Sequence, residues 1–164
     1  MTMAKKSSTR SDYTGLKVIA QSLKKLDDGK YKIQVGVFGD KAARQNEKAG
    51  VTNAEVGFIQ EMGSVSRGIP RRSFLWDTFA HHGDQLMKTL KPAVDELFKK
   101  GKVELYLKQA GSAAESLVKE AFFTSGWGSW KPNAASTIAK KGSDKPLIDR
   151  GELWQAIASR TVRA

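Results

Sequence analysis

The chain has 164 residues, 28 of them basic and 17 acidic, for a formal net charge of +11, and it holds no cysteine. That excludes disulfides, thiolate metal sites and a cysteine nucleophile, and fits a protein made in a reducing cytoplasm. Hydrophobic residues reach 40%, enough for one modest core, and no apolar run approaches a membrane span of roughly 20 residues. The basic excess favours acidic partners, either nucleic acid or a negatively charged protein surface, although the basic residues are scattered and never form a block.

Residues 1–12 read as a flexible arm with no secretory signal, and 13–164 as a single domain. Ser11 or Asp12 can cap a first helix carrying Leu16, Ile19, Leu23 and Leu26, stopped at Asp27–Gly29. Tyr31, Ile33, Val35 and Val37 alternate with Lys32, Gln34 and Gly36 and give the clearest strand. Residues 40–52 read as an exposed polar loop. Asn53 is then placed to cap a helix over Ala54–Met62, in which Gly57 predicts a close packing contact and Gly63 the stop. Residues 63–70 form a bridge, with Ile69-Pro70 extended.

Ser73 is expected to cap the next helix, carrying Phe74, Leu75, Trp76 and Phe79. Gly83 and Pro92 are expected to kink or restart it. Val103 to Ala121 predicts the longest amphipathic helix. A glycine-rich loop then carries Trp127 and Trp130, and a short helical turn is expected over 133–140. The spacing of Asp149 and Glu152 predicts a capping-box variant opening a last helix, and residues 159–164 a final strand. The pattern is α+β: a small antiparallel sheet packed against several helices, with neighbouring subunits able to complete the sheet.

Enzymatic chemistry finds little support. The glycines of "VGVFGDKAAR" lack the lysine–hydroxyl pair of a phosphate-binding loop. His81 and His82 are adjacent, so on a helix they point about 100° apart and cannot share a metal face. Asp149 and Glu152 have a simpler task in capping. No cofactor and no metal is expected. Trp127 and Trp130 can pack on their own core, anchor a protein partner or stack on bases.

Arg71 and Arg72 stand between Pro70 and the aromatic run. A rigid mount of this kind suits forked pairing with carboxylates, either those of a neighbour, Glu55 and Glu61 of a second copy included, or one inside the same chain that braces the bridge. Glu55, Glu61, Met62, Gly63, Arg67, Ile69, Pro70, Arg71, Arg72, Phe74, Trp127 and Trp130 are therefore the candidate assembly residues.

"AEVGFIQEMGS" followed by "IPRRSFLWDTF" resembles the segment of tailed-phage neck proteins in which a helix leads through an acidic residue and glycine into an Ile-Pro-x-Arg-x-Phe-Leu motif. "WKPNAASTIAKKGSDKPLIDRGELWQAI" resembles the second signature of the same tail-completion, or virion-morphogenesis, family of bacteriophages. Met62 stands where an aromatic is common, Arg72 where a smaller residue or proline is common, and Arg150 where threonine is usual. The resemblance implies an α+β fold, no catalytic residue, and a homo-oligomeric ring at the head–tail junction of the virion, hexameric if the likeness carries that far. Its partners would be connector or head-closure proteins and the tail tube or terminator, with non-specific DNA contact in the lumen and no membrane. The alternative from charge alone is a basic DNA-binding module associated with packaging.

Overall fold

The computed structural model describes residues 14–29, 31–46 and 50–163. The expected arm at 1–12 and the Ser11 or Asp12 cap lie outside them. In chain order the elements are α1 (Thr14–Gly29), β1 (Tyr31–Val37), α2 (Asp40–Ala43), β2 (Gln45–Asn46), β3 (Val51–Thr52), α3 (Asn53–Met62), α4 (Trp76–Lys100), α5 (Val103–Phe123), α6 (Ala135–Lys141), α7 (Glu152–Ala156) and β4 (Ile157–Arg163). The expected α+β class holds.

β1 and β4 pair antiparallel along their whole length, from Tyr31 opposite Arg163 to Val37 opposite Ile157. One face of this ribbon lies on α5, which in turn packs along α4. The main core gathers Phe74, Val118, Ala121, Phe122, Trp130, Leu153 and Ile157, with Val35 and Val37 packed against it. A smaller cluster of Leu97, Val103 and Leu107 sits at the α4–α5 turn and takes in Ile33. Of the apolar face expected for the strand, Ile33, Val35 and Val37 pack half-buried against these clusters, while Tyr31 at the strand start is exposed. The close contact expected at Gly57 is present: it is buried where α3 lies on the core, and a Cβ there would stand in ordinary van der Waals contact with Leu153, Phe74 and Val37 at 3.4–3.7 Å, so a methyl group would fit.

The structure corrects several expectations. Residues 40–52 are not one loop, because α2 and the short β2–β3 ladder occupy them. The cap of α3 is Thr52, not Asn53. Thr52 Oγ1 accepts from the Glu55 N–H at 3.2 Å while Glu55 accepts from the Thr52 N–H at 2.7 Å, a reciprocal box. Asn53 turns inward and donates to the Lys41 carbonyl at 2.8 Å, which ties α2 to α3.

Gly83 and Pro92 neither break nor restart α4, which at 25 residues is longer than the 21-residue α5. The lone glycine costs about 1 kcal/mol against alanine, and packing along α5 outweighs both penalties. The last helix begins at Glu152 behind a left-handed Gly151, with no side-chain cap, so Asp149 does not serve as one. β4 starts at Ile157, two residues before the expected strand. On α1, Leu16 and Leu23 of the apolar stripe face outward, and Val18 and Ser22 are the residues nearest the α4–α5 turn at Gly101.

Candidate assembly interface

The segment from α3 to α4 divides into a closed clamp and an open tip. Helix α3 ends where the Gly63 N–H donates to the Ile59 carbonyl at 2.7 Å. Gly63 takes φ 73°, and any Cβ there would meet the Arg71 backbone nitrogen at 2.8 Å, so two chain segments cross on a glycine surface. Beyond it Ser64 and Ile69 form a two-way bridge, N–H to carbonyl at 2.8 and 2.9 Å, and the Gly68 N–H closes the turn onto Val65 at 3.1 Å. The expected flexible bridge is thus a hydrogen-bonded hairpin. Its outgoing strand is fixed again where the Arg72 N–H donates to the Gln60 carbonyl at 2.8 Å.

Glu61 does not reach toward a neighbour. One carboxylate oxygen accepts from Ser73 Oγ at 2.5 Å and the Trp76 N–H at 2.9 Å, and the other from the Phe74 and Leu75 N–H groups at 2.9 and 3.0 Å. A carboxylate here satisfies the orphan donors at the start of α4 and complements its dipole. Ser73 is not at the expected N-cap position, which Leu75 holds before a helix that opens at Trp76 instead of Phe74, but its Oγ still accepts from the first-turn Asp77 N–H at 2.9 Å.

The two arginines part company. Arg71 points outward and makes a forked pair with Asp77, both bonds 2.8 Å. The hydrogen bond from Arg71 holds the Asp77 carboxyl below its ordinary pKa. Arg72 points inward and is only 7% exposed. Its Nε and Nη2 donate to the Lys131 carbonyl at 3.0 and 2.9 Å, and Nη2 also meets the Pro132 carbonyl at 3.1 Å and Asn133 Oδ1 at 3.2 Å. Burial pulls its pKa down, and the carbonyl cage is what offsets that cost. Arg72 therefore belongs to the bracing arrangement, not to a docking edge.

Phe74 and Trp130 are core residues too, 1% and 7% exposed, joined through Phe122 by tilted and edge-on ring contacts with centroids 5.1 and 6.0 Å apart. Trp130 Nε1 donates to the Ser73 carbonyl at 3.3 Å. Gly126 lies beneath this indole, and a Cβ there would collide with it. Trp127 stacks on His82, centroids 3.7 Å apart, and is half-buried. Self-packing thus accounts for both tryptophans, and Ile69 and Pro70 are likewise half-buried in the hairpin.

What remains outside is compact. Phe58 and Met62 stand one turn apart on the outer face of α3, 69% and 60% exposed, and Val65 at the hairpin tip is fully exposed. Arg67 is exposed beside it, and Glu55 near the other end of the helix is exposed but occupied by its capping bonds. Trp76, 74% exposed, opens α4 a short way off, its N–H on Glu61. Of the sequence candidates, only Met62 and Arg67 are both exposed and without a side-chain partner in the described chain.

Phe58, Val65 and Trp76 were missed by sequence reasoning. The i, i+4 spacing of Phe58 with Met62, on the side of α3 opposite Gly57, is the signal that could have found the first. No group of three histidine or acidic side chains able to hold a metal occurs among the described residues, and no described helix is long and apolar enough to cross a membrane. Compared with protein-family models, curated proteins and solved structures, the chain matches none.

Proposed function

We propose that the chain is a structural, non-enzymatic virion protein of a tailed bacteriophage, acting at the head–tail junction as a ring of identical subunits. The paired sequence signatures motivate the reading. The observation that carries it is the exposed apolar pair Phe58 and Met62 on the outer face of α3, followed by exposed Val65 and Arg67 on a hairpin whose backbone is pinned at Gly63, Ser64, Ile69 and Arg72. Phe58, Met62 and Val65 leave apolar surface in water next to a hydrogen-bonded hairpin, and a docking surface needs an apolar centre held in one shape. The tip meets an adjoining virion protein with an acidic rim, Arg67 pairing there. No bond is made or broken, so the protein works by geometry alone.

The test is electron microscopy of lysates from a phage that encodes the chain and from its deletion. The reading expects separate filled heads and finished tails in the deletion, and joined particles once the chain is supplied. Normal particles without it contradict the reading. The basic charge supports one other role, a DNA-binding module for packaging. Titration of the purified chain against random duplex DNA separates the two, because only the second requires binding at physiological salt with a steep salt slope.

A further inference from the structure

Two features of the helical layer have no partner within the described chain, and they match each other. The first is the outer face of α1, where Leu16 and Leu23 are 62% and 48% exposed. The helix is seated the other way: a Cβ at Gly101 would meet Ser22 Oγ at 3.2 Å and Val18 Cγ1 at 3.3 Å. The second is a groove of about 550 Å³ between α4 and α5, with Leu90, Pro92, Ala93, Leu105 and Ala113 among its walls. It runs on into a space of about 260 Å³ that shares Thr89, Ser112 and Ala113 and ends at Gln85 and Glu120. No described residue of α1 lines either space.

We propose that α1 of one copy seats Leu16 and Leu23 in the α4–α5 groove of a second copy of this chain. Spacing is the first argument. The leucines are seven residues apart, on one helix face, and so about 10 Å apart along the axis. Thr89 and Glu96, at the two ends of the α4 wall of the larger space, are also seven residues apart and give the same rise.

The second argument is charge. Lys17 and Lys24 follow the two leucines with the same spacing and are exposed. Glu96 stands in the groove and Glu120 at its far end, with Lys108 the one basic residue among the lining. Glu96 is shared with Lys100 at 2.9 Å and Glu120 accepts from Gln85 at 3.3 Å, so the apolar match leads and the charges add to it. The third argument is the surface itself. Ser112 and Ala113 are small and leave room for a helix to approach between two ridges. The contact joins two different patches, so it is heterologous and repeats around a ring when its rotation closes. It deepens the assembly reading by supplying the contact between like subunits, the hairpin tip being left for the unlike partner.

The experiment is sedimentation velocity of the purified full chain over rising concentration, with no phage component present. The wild type should grow in mass beyond one chain. L16Q/L23Q removes the knobs and S112W fills the groove. Both change exposed positions, so both should unfold at the wild-type temperature yet sediment as single chains, the association constant falling about 100-fold or more for two leucines left in water. Mixed one to one, the two variants should form a dimer and nothing larger, because each retains one intact half of the contact. A wild type that stays a single chain, variants that associate like the wild type, or a mixture that fails to pair would each overturn the proposal. Variants that associate normally sink this contact alone. The neck assignment is decided separately by whether heads and tails join.

Discussion

Arg71 and Arg72 are neighbours in sequence with opposite surroundings, and the regions around them differ in the same way. Around Arg72 the charged groups are answered from inside the chain: the guanidinium by carbonyls of residues 131 and 132 and Glu61 by the start of α4, with Trp130 donating to Ser73, while the buried Gln60 Oε1 is left without a partner. Around the hairpin tip the backbone is hydrogen-bonded and the apolar side chains have no cover, with Phe58, Met62 and Val65 left in water. The first region spends its chemistry on holding a shape. The second presents that shape outward. Changes in the clamp should therefore cost stability, and changes at the tip should cost assembly with stability intact.

The largest stability loss is expected at Arg72. Arg72→Ala removes a buried cation and leaves the Lys131 and Pro132 carbonyls without their donor, at a cost of about 3 kcal/mol. Thermal unfolding should fall by roughly 6–12 °C for a chain of this size. Arg72→Glu is worse still, so reversing both arginines together would test folding, not docking.

Gly126→Ala comes next. The left-handed backbone and the collision with the Trp130 indole together cost about 2–3 kcal/mol, readable in the same melt. Glu61→Gln keeps the shape of the cap but removes its charge, for about 1 kcal/mol.

Arg71→Ala is the smallest effect. Its pair with Asp77 is 47% and 33% exposed, so screening leaves about 0.5 kcal/mol or less. That contribution has a definite sign with pH. The folded pKa of Asp77 is depressed, so the pair stabilises above the unfolded value of about 3.9, and the benefit is lost as pH falls through the folded value. Chemical denaturation from pH 6 down to pH 2 should show a small stability difference between wild type and Arg71→Ala that closes at the acid end. A larger loss for Arg71→Ala than for Arg72→Ala would reverse the division drawn here.

The sequence carried more of the scaffold than of this division. The β1 strand, the stop at Gly63 and the body of α5 were legible because each rests on local periodicity or on one glycine. The cap of α3 was legible in principle, since Thr52 and Glu55 stand in capping-box spacing, but Asn53 competed for the same role and only its contact with the Lys41 carbonyl shows why it loses. The cap of α4 was not legible, because Glu61 lies a full helix end and a hairpin away from the donors it serves. For the arginines a partial signal existed. Neighbours on extended backbone face opposite ways, so Arg72 shares a side with the core residue Phe74 and Arg71 does not. The carbonyls that receive Arg72 come from about sixty residues downstream, and no local pattern points to them.

The measurement that bears most directly on the central claim compares the tip with the clamp in one protein. The variant V65E/R67E should melt within about 1 °C of the wild type, since both residues are exposed and make no side-chain contact that holds the fold. Supplied to a phage lacking the chain, it should leave heads and tails apart by electron microscopy. Joined particles in wild-type numbers, from a variant that is folded and present at the wild-type level, would contradict the account.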